Sequence, residues 1–206
     1  MNKRSGTETK EKILRAALKT FSGRGYSGVS IREIAKASAV SVGGLYIYFR
    51  NKGELYRSLI KESIREKEQS IKKIVEAEAS PSRALSALLE FHLDYAKKNK
   101  DLILMNIKEH GFTLGMDIRK EYFRRQVSLI EDMIQSGIKE NEFRKCNAHE
   151  TAEIIMAALR GIVLSTAMED RKFITAKGLN EFLMYGLLRK NDNRPKGFKL
   201  RKRVNK

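Results

Sequence analysis

The side chains able to do covalent or metal chemistry in this sequence are few and scattered. His92 and His110 stand too far apart to make an i, i+4 metal pair, and Cys146 has no second cysteine to join it as a ligand or to close an internal disulfide. No phosphate-cradling glycine loop, nucleophile elbow or paired set of metal ligands occurs. These observations point away from an enzyme, a metal site or a bound cofactor. They leave a polar contact to a ligand as the functional use of either imidazole. A second set of residues is concentrated instead. Ser30, Ser41, Tyr46, Tyr48 and Lys52 gather hydroxyl, phenol and ammonium donors in one short stretch, and such donors suit oxyanions such as phosphate. The competing reading is that the serines only cap helices and the tyrosines are partly buried packing residues.

The elements that position these donors are helices. With 41% hydrophobic residues the chain can bury a core, and with two prolines little interrupts long helices, so the expected class is all-α. Glu8 to Phe21 puts Ile13, Leu14, Ala17, Leu18 and Phe21 on one helical face, and Gly23 and Gly25 end that helix. Ser30-Ile31-Arg32-Glu33 is a capping box that opens a second helix reaching about Ala37. After Ser38-Ala39-Val40, Ser41 caps a third helix ending near Phe49, and Asn51-Lys52-Gly53-Glu54 repeats the capping pattern for a fourth. Longer helices are expected from Lys52 to about Ala79, Pro81 to about Asn99, Asp101 to Glu109, Ile118 to about Lys139, Ala148 to about Met168 and Ala176 to about Leu188.

Two helices joined by three residues, about 20 residues in all, match the spacing that sets a second helix into the DNA major groove. Within that unit the run from Ile34-Ala35-Lys36 through Ser41-Val42-Gly43-Gly44-Leu45-Tyr46-Ile47-Tyr48-Phe49 to Lys52 resembles the DNA-binding signature of the TetR family. The resemblance extends from about Thr9 to Leu55, including Phe21 and Gly25-Tyr26. It implies an N-terminal three-helix helix-turn-helix domain over 1–55, a larger C-terminal helical ligand-binding and dimerisation domain over 56–190, and a basic tail over 191–206. It further implies a homodimer that binds operator DNA and answers to a small effector. The DNA-binding set is then Ser30, Arg32, Ser41, Val42, Gly43, Gly44, Tyr46, Ile47, Tyr48 and Lys52. Val42, Gly43, Gly44 and Ile47 are the base-reading surface, and none carries a side chain able to make a bidentate bond to a base edge. Readout there rests on methyl contacts and close backbone approach, or the glycine pair is drift at a tolerant site. Ala39 departs from the family's usual glycine at a turn position that favours a left-handed backbone.

The net charge of +17 is carried by the two ends: residues 1–55 hold +7, residues 189–206 hold +8, and the middle is nearly neutral. Lys3 and Arg4 read either as a minor-groove arm or as a solvated start, and Arg201-Lys202-Arg203 either adds salt-sensitive attraction to phosphates or keeps the tail soluble. This charge also supports a rival function, a ligand-independent nucleic-acid packaging protein. The N-terminus shows no apolar stretch after its basic residues, which reads as a cytoplasmic protein without a secretory signal. The apolar run from Ile154 to Met168 falls short of the roughly 20 residues of a bilayer span and contains Arg160, so a buried helix and no membrane are expected.

Ala157, Gly161 and Ser165 recur every four residues as a stripe of small side chains, and that helix is apolar nearly all round. By resemblance it pairs with the last helix across a dimer axis, giving a dimer interface of Ala157, Gly161, Ser165, Phe182 and Tyr185. The competing reading is the central helix of a monomer. By the same resemblance the effector cavity lies among the middle helices, whose aromatic and thioether side chains suit an apolar or amphipathic molecule. Tyr95, Met105, Phe112, Tyr122, Met133 and Met156 are its expected lining, although most such residues belong to a plain core.

Overall fold

The computed structural model describes residues 3–108, 114–168 and 174–188. Among them are nine helices and no strand: α1 (Lys3–Arg24), α2 (Ile31–Ala37), α3 (Val42–Tyr46), α4 (Lys52–Glu76), α5 (Pro81–Lys98), α6 (Lys100–Lys108), α7 (Met116–Lys139), α8 (Ala148–Met168) and α9 (Ala176–Leu187). The fold is all-α, as composition and periodicity require. Phe112, His110 and the tail from 191 lie outside the described residues. Lys3 and Arg4 belong to the first turn of α1 rather than to an arm before it, since only Gly6 weakens the helix ahead of Glu8.

The short helices start where their caps dictate. Ser30 Oγ accepts from the Glu33 amide at 3.3 Å while the Glu33 carboxylate accepts from the Ser30 amide at 2.7 Å, closing both halves of the box. Ser41 Oγ accepts from the Gly44 amide at 2.9 Å, and Asn51 Oδ1 from the Glu54 amide at 2.8 Å. α3 stops at Tyr46, three residues before the expected end, and its last bonds continue as a turn through Phe49. Between α2 and α3 the backbone of Ala39 is left-handed, with φ of 51°. The Val40 amide reaches Ala35 O at 3.0 Å and the Ala39 amide reaches Lys36 O at 3.1 Å, so the end of α2 is closed by a Schellman arrangement whose left-handed residue is alanine. Replacing Ala39 by glycine should therefore raise stability by about 1 kcal/mol. Urea unfolding checks this, and an unchanged or lower midpoint would show that Ala39 bears no strain.

Two large hydrophobic cores, and a small third cluster of Ala96, Ile103 and Ala167, follow from the apolar faces. In the first, Ile13, Ala17 and Phe21 of α1 pack on Ile34, Leu45, Phe49 and Leu55, and Leu102 and Met105 of α6 join them. In the second, Leu85, Leu88 and Leu89 of α5 meet Ile130 and Ile134 of α7 and Ile155 and Leu159 of α8. α7 turns tightly into the segment before α8. A Cβ on Gly137 would lie 2.2 Å from the Phe143 ring, so only glycine lets that buried ring cross the helix. α4 runs from the first core, through Tyr56, Leu59 and Ile60, to Ile71 in the second, and so links the two.

α8 is one-sided rather than fully enclosed. Ala152, Ile155, Met156, Leu159 and Ala167 are buried, whereas Ile154 and Met168 are 60% and 67% exposed. Counted from Ala148 it is long and apolar enough to cross a bilayer by length and composition, a test that the core helix of a folded domain also passes.

Candidate nucleic-acid interface and internal cavity

α3 stands on the surface with one face bare. Leu45 is fully buried and anchors the helix, while Val42, Tyr46 and Ile47 are 37%, 49% and 70% exposed. A Cβ on Gly43 would meet nothing, and one on Gly44 would meet only Ser41 Oγ at 3.0 Å. Ser30, Arg32 and Ser41 are exposed beside this face, whereas Tyr48 is half-buried against the first core. Behind the motif, the Arg24 guanidinium bonds Glu33 at 2.7 Å and ties the end of α1 to α2. The Ser30 amide and hydroxyl, with Arg24, hold the Glu33 carboxyl down at about 2.

Lys52 ties two elements together. Its Nζ donates to Tyr26 O at 2.8 Å and to Val29 O at 2.9 Å, and it lies 4.2 Å from the centre of the Tyr26 ring. That ring packs with Phe21 and Tyr56, so Lys52 clamps the loop between α1 and α2 onto the start of α4. Of its three N–H donors, one remains for a phosphate oxygen.

A cavity of ≈ 620 Å³ opens between α4, α5, α6, α7 and α8. Tyr95, Tyr122 and Met156 line it. Met105 and Met133 do not: Met105 is fully buried in the first core, and Met133 is buried in the second. The wall is mostly apolar, with the aliphatic Ile60, Ile64, Leu102, Leu159, Val163 and Leu164 joined by methionines and aromatic rings. Its charged residues are all cationic, namely Lys67, Arg119, Lys120, Arg124 and Arg160, and no carboxylate stands among the described lining.

Lys67 is the unusual member. Its Nζ lies 4.8 Å from the Tyr95 ring centre and 5.2 Å from that of Tyr122, and burial pushes the ammonium down to about 8. A folded-state value below the ordinary 10.5 means that this charge costs the fold stability at neutral pH, a cost relieved as pH rises from about 8 through that range. His92, buried beside it, is lowered to about 3 by desolvation and by the Lys67 charge, so the imidazole is neutral. Burial likewise raises the phenols of Tyr95, to about 12, and Tyr122. His92 Nε2 and Tyr122 Oη are both buried without a hydrogen-bond partner.

The cavity touches the first core at several points, Ile60 of α4 among them. Leu102 of α6 belongs to both, and α6 packs along α1. At the start of α7, the Asp117 carboxylate takes a bidentate pair from Arg57 of α4 at 2.7 and 2.5 Å, and Arg119 reaches Leu114 O at 2.7 Å and Tyr56 Oη at 3.4 Å. On the opposite side, Ala157, Gly161 and Ser165 of α8 and Phe182 and Tyr185 of α9 are all exposed, the last two at 77% and 74%.

Residues 13–59 match the family described as "Bacterial regulatory proteins, tetR family". The probable HTH-type transcriptional regulator YttP of Bacillus subtilis is 30% identical over 143 residues, which cover 66% of this chain and 67% of that protein. The chain belongs to the TetR family. It is a DNA-binding transcription regulator and not an enzyme. The uncharacterized HTH-type regulator YhgD, also of Bacillus subtilis, is 28% identical over 153 residues, covering 72% of this chain and 79% of its own length. Among solved structures, the FadR transcriptional regulator of Bacillus subtilis in complex with stearoyl-CoA superimposes with a TM-score of 0.75, covering 85% of this chain and 98% of FadR at 20% identity.

In this TetR-family chain the expected DNA-contacting residues fall on α2 and α3 with their caps, on the turn after α3, and at the start of α4, with Tyr48 half-buried and Lys52 engaged by two carbonyls, while three of the six expected cavity residues share one wall. Lys67 escaped the sequence reading, yet a signal was there. It falls in the stripe Ile60, Ile64, Lys67, Ile71, a helical register whose other members are all aliphatic, and a lysine in such a stripe is either misplaced or meeting something polar.

Proposed function

We propose that the protein acts as a homodimeric repressor that reads a palindromic operator with α3 and is released when an amphipathic small molecule enters the cavity. The observation that carries the DNA half is the bare, cap-positioned face of Val42, Gly43, Gly44 and Ile47, set on a buried Leu45. Without long polar side chains, that face can sit deep in the major groove and touch thymine methyl groups. Ser30, Arg32, Ser41, Tyr46, Tyr48 and Lys52 fix register on phosphates. The effector half is supported by the largely apolar cavity and by the FadR relative's complex with stearoyl-CoA, itself an amphiphile. A ligand there shifts operator affinity only if it favours a different recognition-helix spacing, and α6 and the Arg57–Asp117 pair are the joints through which it acts. We further propose residues 1–55 as the DNA-binding unit, 56–190 as the sensor and dimer unit, and the cytoplasm as the place of action.

Selection of bound sequences from a random DNA pool tests this directly. A defined palindrome is expected, whereas equal affinity for all sequences would favour the packaging reading. On the selected operator, Val42→Ala should cost affinity only where a thymine methyl lies opposite, and exchanging that thymine for uracil should reproduce the loss without adding to it. Full additivity at every position would replace methyl contact by shape readout.

A further inference from the structure

We infer that the cavity takes an acyl-chain carboxylate bearing a hydroxyl close to its head, with the carboxylate seated on Lys67 and the hydroxyl bridging Tyr122 and His92. The inference rests on the reading of this cavity as the effector site and specifies the chemistry of that effector.

Three groups define the head-group position, and each asks for a different atom. Lys67 is a cation taken into a wall of aliphatic and aromatic side chains, with no carboxylate beside it in the described lining. The two tyrosine ring faces moderate the charge but do not neutralise it. A buried ammonium without a counter-ion is destabilising, and an entering anion turns that cost into binding. His92 has the opposite requirement. Its Nδ1 lies 3.0 Å from Leu88 O, and a carbonyl oxygen can only accept, so Nδ1 carries the imidazole proton. Nε2 is then a buried lone pair with nothing to receive. A bare carboxylate has no proton to give it. Tyr122 Oη, also buried and unpartnered, has a proton to donate and a lone pair to spare. One hydroxyl meets both needs: it accepts from Tyr122 and donates to His92.

The rest of the cavity suits an acyl tail. Beyond the head-group position the wall is supplied by Ile60, Ile64, Leu102, Met156, Leu159 and Val163. A volume of ≈ 620 Å³ lies inside the range of about 300–1,000 Å³ usual for sites that enclose a drug-sized ligand. The cationic character of every charged lining residue selects against quaternary ammonium and other cationic amphiphiles.

The test is calorimetric titration of the full-length protein with four probes that share one tail: 3-hydroxydodecanoate, dodecanoate, dodecanol and dodecyltrimethylammonium. Expected affinity falls in that order, with dodecanoate about tenfold or more above dodecanol, and the 3-hydroxy compound about fivefold above dodecanoate. Lys67→Met keeps an unbranched side chain, one atom shorter, and removes its charge. It should erase the carboxylate-over-alcohol preference, leave dodecanol binding in place and raise the thermal midpoint of the ligand-free protein. Lys67→Arg should restore the preference. His92→Phe should erase the preference for the hydroxyl while leaving dodecanoate over dodecanol intact. Equal binding of dodecanol and dodecanoate, or of dodecanoate and its hydroxy derivative, overturns the head-group assignment. Operator release separates this from the broader reading. Dodecanol that binds and releases DNA as well as the acids do would keep the cavity as the effector site while removing Lys67 from head-group recognition. Binding of the acids unaffected by Val163→Trp, which fills the cavity, would overturn both.

Discussion

Replacing Phe182 and Tyr185 together by glutamate should convert the protein to a monomer and weaken operator binding by about 10²–10⁴-fold. Both side chains are three-quarters exposed on α9, and on α8 Ile154 and Met168 are exposed as well. Phe and Tyr of that size rarely remain so bare together on the surface of a working protein. The α8 stripe of Ala157, Gly161 and Ser165 is small where a second helix would need to come close, and a Cβ added to Gly161 meets nothing within 4 Å among the described residues. A large penalty for Gly161→Leu would therefore point to a partner, which makes that variant an independent probe of the interface. The large effect on DNA arises because two linked recognition helices bind half-sites roughly 34–36 Å apart as one ligand, and a monomer forfeits that gain. Sedimentation and operator titration on the same samples give the answer. A wild-type protein that is monomeric at micromolar concentration would remove the dimer from the proposed mechanism.

Met133→Ala should lower stability by about 2–5 kcal/mol and leave effector choice unchanged. The thioether is buried in the second core among α5, α7 and α8 and does not reach the cavity wall. Truncation there leaves a void between helices that are locked by Leu88, Ile130 and Ile155, so little relaxation is available to close it. Met156→Ala removes a thioether that does line the cavity, so its effect should appear in ligand affinity as well. Thermal or urea unfolding of the pair, set beside their effector profiles, distinguishes the two. A changed profile with full stability in Met133→Ala would place that residue at the ligand after all.

The contrast between these two methionines shows where the sequence stops being informative. Both fall at inward positions of long helices, and period alone gives the inward direction without saying whether what lies inside is packed side chain or open space. Met105 teaches the same lesson from another direction, because α6 lends it to the first core rather than to the cavity. By contrast, the helix starts at Ser30, Ser41 and Asn51 were readable to the residue, since a cap is a bond between positions three apart and needs no tertiary partner. The left-handed backbone at Ala39 was legible only through the family resemblance, since an alanine carries no local sign of it.

By itself, then, the sequence determined the all-α class, the order of the helices, the caps at Ser30, Ser41 and Asn51, and the exposed face of α3. Each of these is set by interactions within a turn or two of the chain. The tertiary structure alone decided the neighbours of each side chain. It seated Lys52 on two carbonyls from the preceding loop, stretched α4 across both cores, joined Arg57 to Asp117 and left α8 apolar on a bare side. It also placed Lys67, His92 and Tyr122 at one cavity from three helices. Those juxtapositions depend on how helices distant in sequence cross one another, and crossing geometry is fixed by the summed packing of whole faces, which no local pattern records.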